Sequence, residues 1–495
     1  MSRIVKILSV LNLGLISFLL VWCIGWLFVG AYYSFPNAED LSLTYVSRES
    51  GVWYSIKSLL ISYDGRYFTN FLHAINPLAF DWVAGYKLMP VIGILFFISS
   101  LWFFLFTIFK TPYKLNLLLF SILFSVVHFA LAPSLPHDLY WMVSSFVYLY
   151  PWAFTFLWVG AYLRYIHCDV YLFKILWFLF TVIAMICCIG MNEMFLVTNV
   201  VLILSILYLS QKASRQKLID TIPIVIIGVA CIVFFITSPG ISLRMASNIP
   251  DGGSLYNFKG IVQSIIDYKL TSINFFFNGI AFFSFLLVLI HTSGIQFRYN
   301  MPEVFWRTRY SISLLFFLLI IACLMTMAYY LPMQIDSGYP DRIFNSVVIL
   351  QQLIFFVLTP VILFKLDIIN KISSSISIRQ TLTFFLLLLL MVLILKPGNN
   401  ISEIYKEYCS GIFDKYNRNM NQRYSAIMEA RGKDDCWRIA VLDSLEIPPR
   451  TIYYGPDIVT NRKVDYWNAS YEVYFKIDEV RLQGDTVQKC CFKSI

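Results

Sequence analysis

The run from Leu8 to Tyr33 is apolar almost throughout, and runs of similar character recur along the chain. A helix of that length crosses the hydrocarbon core of a bilayer. Helices are also the form that satisfies its own backbone in lipid, and the runs are too long for barrel strands. The 495 residues are 59% hydrophobic and only 14% charged, and their mean hydropathy is +0.70. The expected fold class is therefore an all-α polytopic membrane protein. The net charge of +9 does not point to nucleic acid, because the basic residues cluster in short loops between spans. The basic start, Met1 to Lys6, followed by a run longer than a signal-peptide core, reads as a retained signal anchor.

About 11 transmembrane helices are expected, at 8–33, 86–109, 115–132, 147–166, 171–189, 194–210, 221–237, 271–291, 311–331, 343–364 and 380–396. The stretch Gly190 to Glu193 reads either as a tight turn between two spans or as a break in one helix. With the N-terminus cytoplasmic, every inner loop is basic: Arg3 and Lys6, Lys110 and Lys114, Arg164 and Lys174, Lys212 to Lys217, Arg298 to Arg309, and Lys365 to Arg379. The outer connections at 133–146 and 190–193 contain no Lys or Arg. This is the positive-inside pattern, and an odd number of spans puts the tail outside. The chain divides into a transmembrane domain, 1–396, and an extracytoplasmic C-terminal domain, 397–495.

The first outer loop, 34–85, holds two stretches with apolar residues at helical spacing, Ser50 to Leu60 and Arg66 to His73. Both are too short to span and rich in aromatics, which predicts two juxtamembrane helices lying at the interface. In the tail, Ile401 to Ala430 reads as helix and the alternating Tyr471 to Ile477 as strand. A small α/β or α+β domain is expected there. Six cysteines lie in or beside apolar spans and read as fillers. Cys409, Cys436, Cys490 and Cys491 lie in the tail, where a disulfide is expected.

The motifs that carry chemistry fall in the outer loops. Glu39-Asp40 follows the first span, where an acidic pair suits a general base or a divalent metal (Mg or Mn) beside a lipid-borne substrate. Asp64-Gly65-Arg66-Tyr67 places Arg66 near a phosphate or near that acidic pair. His137-Asp138 with Trp141 and Tyr148 combines aromatic faces with polar groups, which suits sugar binding. Glu193 is a carboxylate in an apolar stretch, a site candidate because ionisable groups there are costly. Arg244 and Arg342 fall at the membrane surface, where arginine binds phosphate bidentately, and Lys269 is a further cation of this kind.

These motifs, in this order, resemble the GT-C superfamily of integral-membrane glycosyltransferases, and within it an uncharacterised bacterial group. The resemblance rests on Glu39-Asp40 followed by Gly65-Arg66-Tyr67, on Trp141-Met-Val-Ser144-Ser145-Phe-Val-Tyr148, on Pro239-Gly240 with Arg244, and on Asp465-Tyr466-Trp467-Asn468. The chain departs from it in having Glu39-Asp40 where two aspartates are expected, which leaves metal binding open. The resemblance implies inverting transfer from a polyprenyl-phosphate sugar donor to a glycan, lipid or protein acceptor, on the outer face of a bacterial inner membrane. It implies Asp40 as the base, Glu39 or Glu193 as its orienting partner or metal ligand, and Arg244 and Arg342 on the donor phosphate. A transporter or flippase of lipid-linked saccharides predicts polar residues along several spans, and few are seen. A polysaccharide polymerase or ligase predicts arginines in a large central outer loop, whereas the large outer pieces here lie at the two ends.

Overall fold

The computed structural model describes residues 3–110, 114–248, 258–292, 298–299, 324, 341–360, 376–433, 438–458 and 466–483. Among these, nine helices are long and apolar enough to cross a membrane. They are α1 (Arg3–Tyr33), Val83–Ile108, Lys114–Leu131, Met142–Tyr165, Tyr171–Ile189, Glu193–Ala213, Arg215–Ile236, Asp341–Leu358 and Ile376–Leu395. Lys269–Phe276 and Gly279–Ile290 form a further apolar pair bent by 62° at a short break. Apart from Leu324, the expected span 311–331 lies outside the described residues. The protein is an all-α multi-pass membrane protein with little sheet.

The spans show why such a chain needs lipid. Tyr171–Ile189 leaves Leu172, Phe173, Leu176, Leu179, Phe180 and Ile183 exposed while burying Thr181, Ala184, Met185 and Cys188. Its apolar residues face outward and its small ones face the neighbouring helices, the reverse of a water-soluble bundle. The stretch at Gly190 is a tight turn between two spans. Asn192 caps the second span, accepting from Met194 N at 3.0 Å, and its amide donates to the carbonyl of Val147 at 3.1 Å. A Cβ at Gly190 would stand 2.2 Å from the ring of Tyr67, so the turn has room only for glycine.

The connection between the first two spans contains three α-helices rather than two, followed by a 3-10 turn at Pro77–Phe80. α3 (Val52–Ser62) and α4 (Tyr67–Ala74) correspond to the expected pair. α2 (Ala38–Ser50) precedes them, so Glu39 and Asp40 lie in a helical first turn rather than in a loop. Its start is fixed by a capping box: Asn37 bonds the first-turn N–H groups, and Asp40 reaches back to Asn37 N at 2.9 Å.

In the tail, helices Asn400–Cys409 and Ile412–Arg431 lead to strand Ile439–Leu442. Helix Tyr466–Phe475 then leads to strand Glu479–Leu482. The two strands pair in parallel, with Ile439 opposite Glu479 and Leu442 opposite Leu482. The expected strand at Tyr471 to Ile477 is instead the end of a helix. Asn468, Tyr471, Tyr474 and Phe475 share its buried face at helical spacing. The tail is packed onto the bundle. Ile401, Ile404, Phe413, Tyr416, Met420 and Ile452 share one core with residues of the spans, and the hydroxyl of Tyr474 donates to Leu78 O at 2.8 Å. Cys409 is exposed with a free thiol; Cys436, Cys490 and Cys491 lie outside the described residues.

Candidate functional site

A cleft of about 610 Å³, open to solvent, is lined by Glu39 and Leu43 of α2, by Thr69, Asn70 and His73 of α4, by Tyr63, Asp64 and Arg66 just before it, by Trp141, Val143, Ser144, Val147 and Tyr148, and by Arg244 and Arg342. Six residues singled out from sequence (Glu39, Arg66, Trp141, Tyr148, Arg244 and Arg342) thus meet around one cavity. They arrive from widely separated parts of the chain because these spans start or finish at the same end of the bundle. The far ends carry the basic connections, where Lys174 pairs with Asp220 at 2.6 Å and Arg164 bonds Thr107 at 3.1 Å.

Arg66 is held before it meets any ligand. Its Nη2 lies 2.7 Å and its Nε 3.0 Å from Glu193 Oε2, and Asp64 Oδ2 is 3.8 Å away. Asp64 in turn accepts from Arg66 N at 3.0 Å and Asn70 Nδ2 at 2.9 Å. Burial pulls Arg66 toward the neutral form, but Glu193 and Asp64 outweigh it and hold the guanidinium above its usual range. Arg244 lies 3.8 Å from Glu193 Oε1 and stands over the ring of Tyr63. Arg342 stands over the rings of Trp141 and Tyr148, 5.7 and 6.0 Å from their centres. Glu193 therefore acts as the anchor of two arginines, a positioning group for the cationic wall.

The two carboxylates of the acidic pair are used differently. Asp40 is fully buried and is not among the residues lining the cleft. Its Oδ2 accepts from Asn37 N and from the hydroxyl of Tyr86, both at 2.9 Å, and its Oδ1 accepts from Val143 N at 3.1 Å. Asp40, expected as the base, is instead found away from the cleft: every donor around it comes from the protein, and it ties α2 to the start of Met142–Tyr165. Burial pushes its carboxyl up to about 7 despite these donors. Glu39 reaches the cleft, half-buried, and its carboxylate has no hydrogen bond or ion pair among the described residues. Burial raises it above the ordinary carboxylate range, against the pull of Arg342, Arg66 and Arg244.

Other expected residues fall outside the cleft. Asp138, expected at a sugar, is fully buried, with Oδ2 2.6 Å from Nε2 of the equally buried His128, and is not among the lining residues. His137 bonds Ser134 Oγ at 2.6 Å and packs on Tyr454; burial, with Arg342 nearby, lowers it to about 3, so it is neutral. It is a structural support for Trp141, 5.4 Å away ring to ring. Lys269 is exposed on helix Phe258–Phe276 and is not among the lining residues.

The metal reading meets a mismatch in its donors. Among the described residues no three His, Cys, Asp or Glu side chains gather as ligands. Both oxygens of Asp40 already face N–H or O–H donors, so Glu39 and Asp40 do not present a joint site.

Asn70, His73 and Ser144 went unassigned to the site from sequence. Asn70 and His73 follow Arg66 by four and seven residues, so one face of α4 carries all three. Trp141 also borders a second, aromatic cavity of about 470 Å³, walled by Phe35, Tyr86, Tyr416, Tyr453 and Trp467 and by the Arg423–Asp457 ion pair. Tyr454, from the tail, stacks on Trp141 at 4.5 Å. No protein-family model, no curated protein and no solved structure matches this chain.

Proposed function

We propose that the protein is an inverting membrane glycosyltransferase of the GT-C kind, moving a sugar from a polyprenyl phosphate to a glycan, lipid or protein hydroxyl on the outer face of a bacterial plasma membrane. The observation that carries this reading is the free carboxylate of Glu39 in a cleft shared with Arg66, Arg244 and Arg342. A carboxylate whose proton affinity is raised by burial is a better proton acceptor than a solvated one. Arginines around it are suited to a phosphate.

In the proposed reaction, the acceptor hydroxyl gives its proton to Glu39 as its oxygen bonds to the anomeric carbon. The bond from that carbon to the phosphate oxygen breaks, and the polyprenyl phosphate leaves with the electron pair. Arg244 and Arg342 stabilise the growing charge on the leaving oxygen, and they need not move to do so, since Glu193 and the rings of Trp141 and Tyr148 hold them. In this reading the lipid chain would lie beside them. A groove of about 780 Å³ is lined by Leu131, Pro133, Phe275, Phe344 and Val348, with Thr271, Asn274 and Asn278, and with Asp341, the chain neighbour of Arg342. The outer-face assignment rests on the basic loops at the opposite end of the bundle; it puts the N-terminus in the cytoplasm and the tail outside.

The test is transfer from a radiolabelled polyprenyl-phosphate sugar in membranes. Glu39→Gln is expected to abolish transfer while donor is still bound. Activity of that variant within a few-fold of wild type would remove Glu39 from the chemistry and this reading with it.

A further inference from the structure

Three residues lining the cleft each carry a buried polar atom with no hydrogen-bond partner among the described residues: His73 Nδ1, Ser144 Oγ and Trp141 Nε1, the last on a ring that also borders the aromatic cavity. These residues are only 3%, 2% and 4% exposed. Buried polar atoms are nearly always satisfied, and leaving one unsatisfied is costly. Residues carrying such atoms gather around one cavity, where a ligand could supply the missing partners.

Their chemistry narrows the ligand. A hydroxyl donates and accepts, a neutral imidazole does one at each nitrogen, and an indole N–H only donates. Burial, with Arg66 nearby, lowers His73 to about 3, so its ring is uncharged at working pH. None of the three groups offers a charge. Of the cleft's cations, Arg66 is already neutralised by Glu193 and Asp64, and Arg342, whose guanidinium stands 5.7 Å from the centre of the Trp141 ring, is assigned with Arg244 to the donor phosphate. The rings of Trp141 and Tyr148 line the same cleft and offer flat apolar faces. Uncharged donors and acceptors beside aromatic faces match the hydroxyls and C–H face of a pyranose. They do not match a carboxylate-bearing sugar, which would need a cation of its own.

We propose that His73, Ser144 and Trp141 form the subsite for an uncharged pyranose, the sugar carried by the donor. The proposal rests on the glycosyltransferase reading and adds to it the chemical class of the sugar and the residues that select it.

The experiment uses the full chain in lipid nanodiscs and measures binding of bare polyprenyl phosphate and of polyprenyl phosphate carrying glucose, galactose, mannose, N-acetylglucosamine or glucuronic acid. At least one uncharged sugar is expected to tighten binding over the bare lipid, and glucuronic acid is not. Ser144→Ala and His73→Gln are each expected to reduce that gain about 5- to 10-fold, the value of one hydrogen bond, with bare-lipid binding unchanged within about twofold. Ser144→Ala removes a single oxygen and should stay monodisperse. A preference for glucuronic acid, no gain from any sugar, or a gain intact in both variants overturns the proposal. The donor reading fails separately, if the wild-type protein does not bind bare polyprenyl phosphate or if Arg244→Ala and Arg342→Ala leave that binding unchanged. Soluble glucose 1-phosphate separates the sources: binding as tight as that of the lipid-linked sugar would keep the subsite and reject the lipid carrier.

Discussion

Glu39 and Asp40 are neighbours in sequence and opposites in role, because one residue turns a helix by roughly 100°. One carboxylate faces the cleft and the other faces the bundle. Glu39→Gln should therefore lower transfer by about 100-fold to 10,000-fold, the usual cost of a lost general base, with no change in melting temperature. Asp40→Asn should do the reverse. Its amide cannot accept from Asn37, Tyr86 and Val143 together, and a buried group left unsatisfied costs about 1–3 kcal/mol, so thermal unfolding should shift down while transfer by the folded fraction persists. The raised proton affinity of Asp40 adds a sign to this. The folded state holds a proton between roughly pH 4 and about 7 that the unfolded state has released, so the contribution of Asp40 to stability falls as pH rises through that window. The melting-temperature gap between wild type and Asp40→Asn should be wider at pH 5 than at pH 8. The sequence revealed which residue types were present but not which way they point. That is why Asp138, expected at a sugar, is instead locked to His128.

At the scale of elements, the cleft depends on close backbone contacts. A Cβ at Gly240 would stand 2.6 Å from Asp64 N and 2.8 Å from Leu60 O, backbone atoms that cannot swing aside. Gly240→Ala should push helix Pro239–Asn248 away from α3 and carry Arg244 with it. Donor binding should weaken by about 10-fold or more, although no charged group has been touched; equal affinity in both proteins would show that Arg244 does not need this contact. α3 and α4 were legible because their apolar spacing is helical. α2 was missed because its mean composition is polar, yet the Asn37 and Asp40 capping pair three residues apart was a readable start signal. The segment Tyr471 to Ile477 misled for a related reason: alternation over a few residues also fits a helix whose buried face recurs at three and four, and the tertiary contacts of Tyr474 decide between them.

For the whole molecule, apolar length was the most legible signal, because lipid admits few alternatives to a long helix. The tail's relation to the bundle was not legible, since composition marks a boundary at Pro397 while packing ignores it. The segment beginning at 400 contributes Tyr416, Met420 and Ile452 to the bundle core and Tyr454 to the face of Trp141. Removing residues 400–495 should therefore lower the stability of the membrane part as well, read as a fall in its melting temperature and loss of monodispersity; a truncated protein that melts like the full chain would show that the tail is a separate domain. Reporter fusions after Lys217 and after Pro397 should lie on opposite sides of the membrane, and the same side for both would reject the topology.

The bond from Asn37 to the carbonyl of Tyr454 joins two residues far apart in the order of synthesis. A ribosome delivers the acidic pair, the arginines and every membrane helix before it delivers the loop that closes over Trp141. The site thus has an age structure. For as long as residues 443–458 are still unmade or undocked, the inserted chain carries the charged groups without their aromatic wall, and its capacity to work should appear as a late event in biogenesis rather than growing with each helix that enters the bilayer.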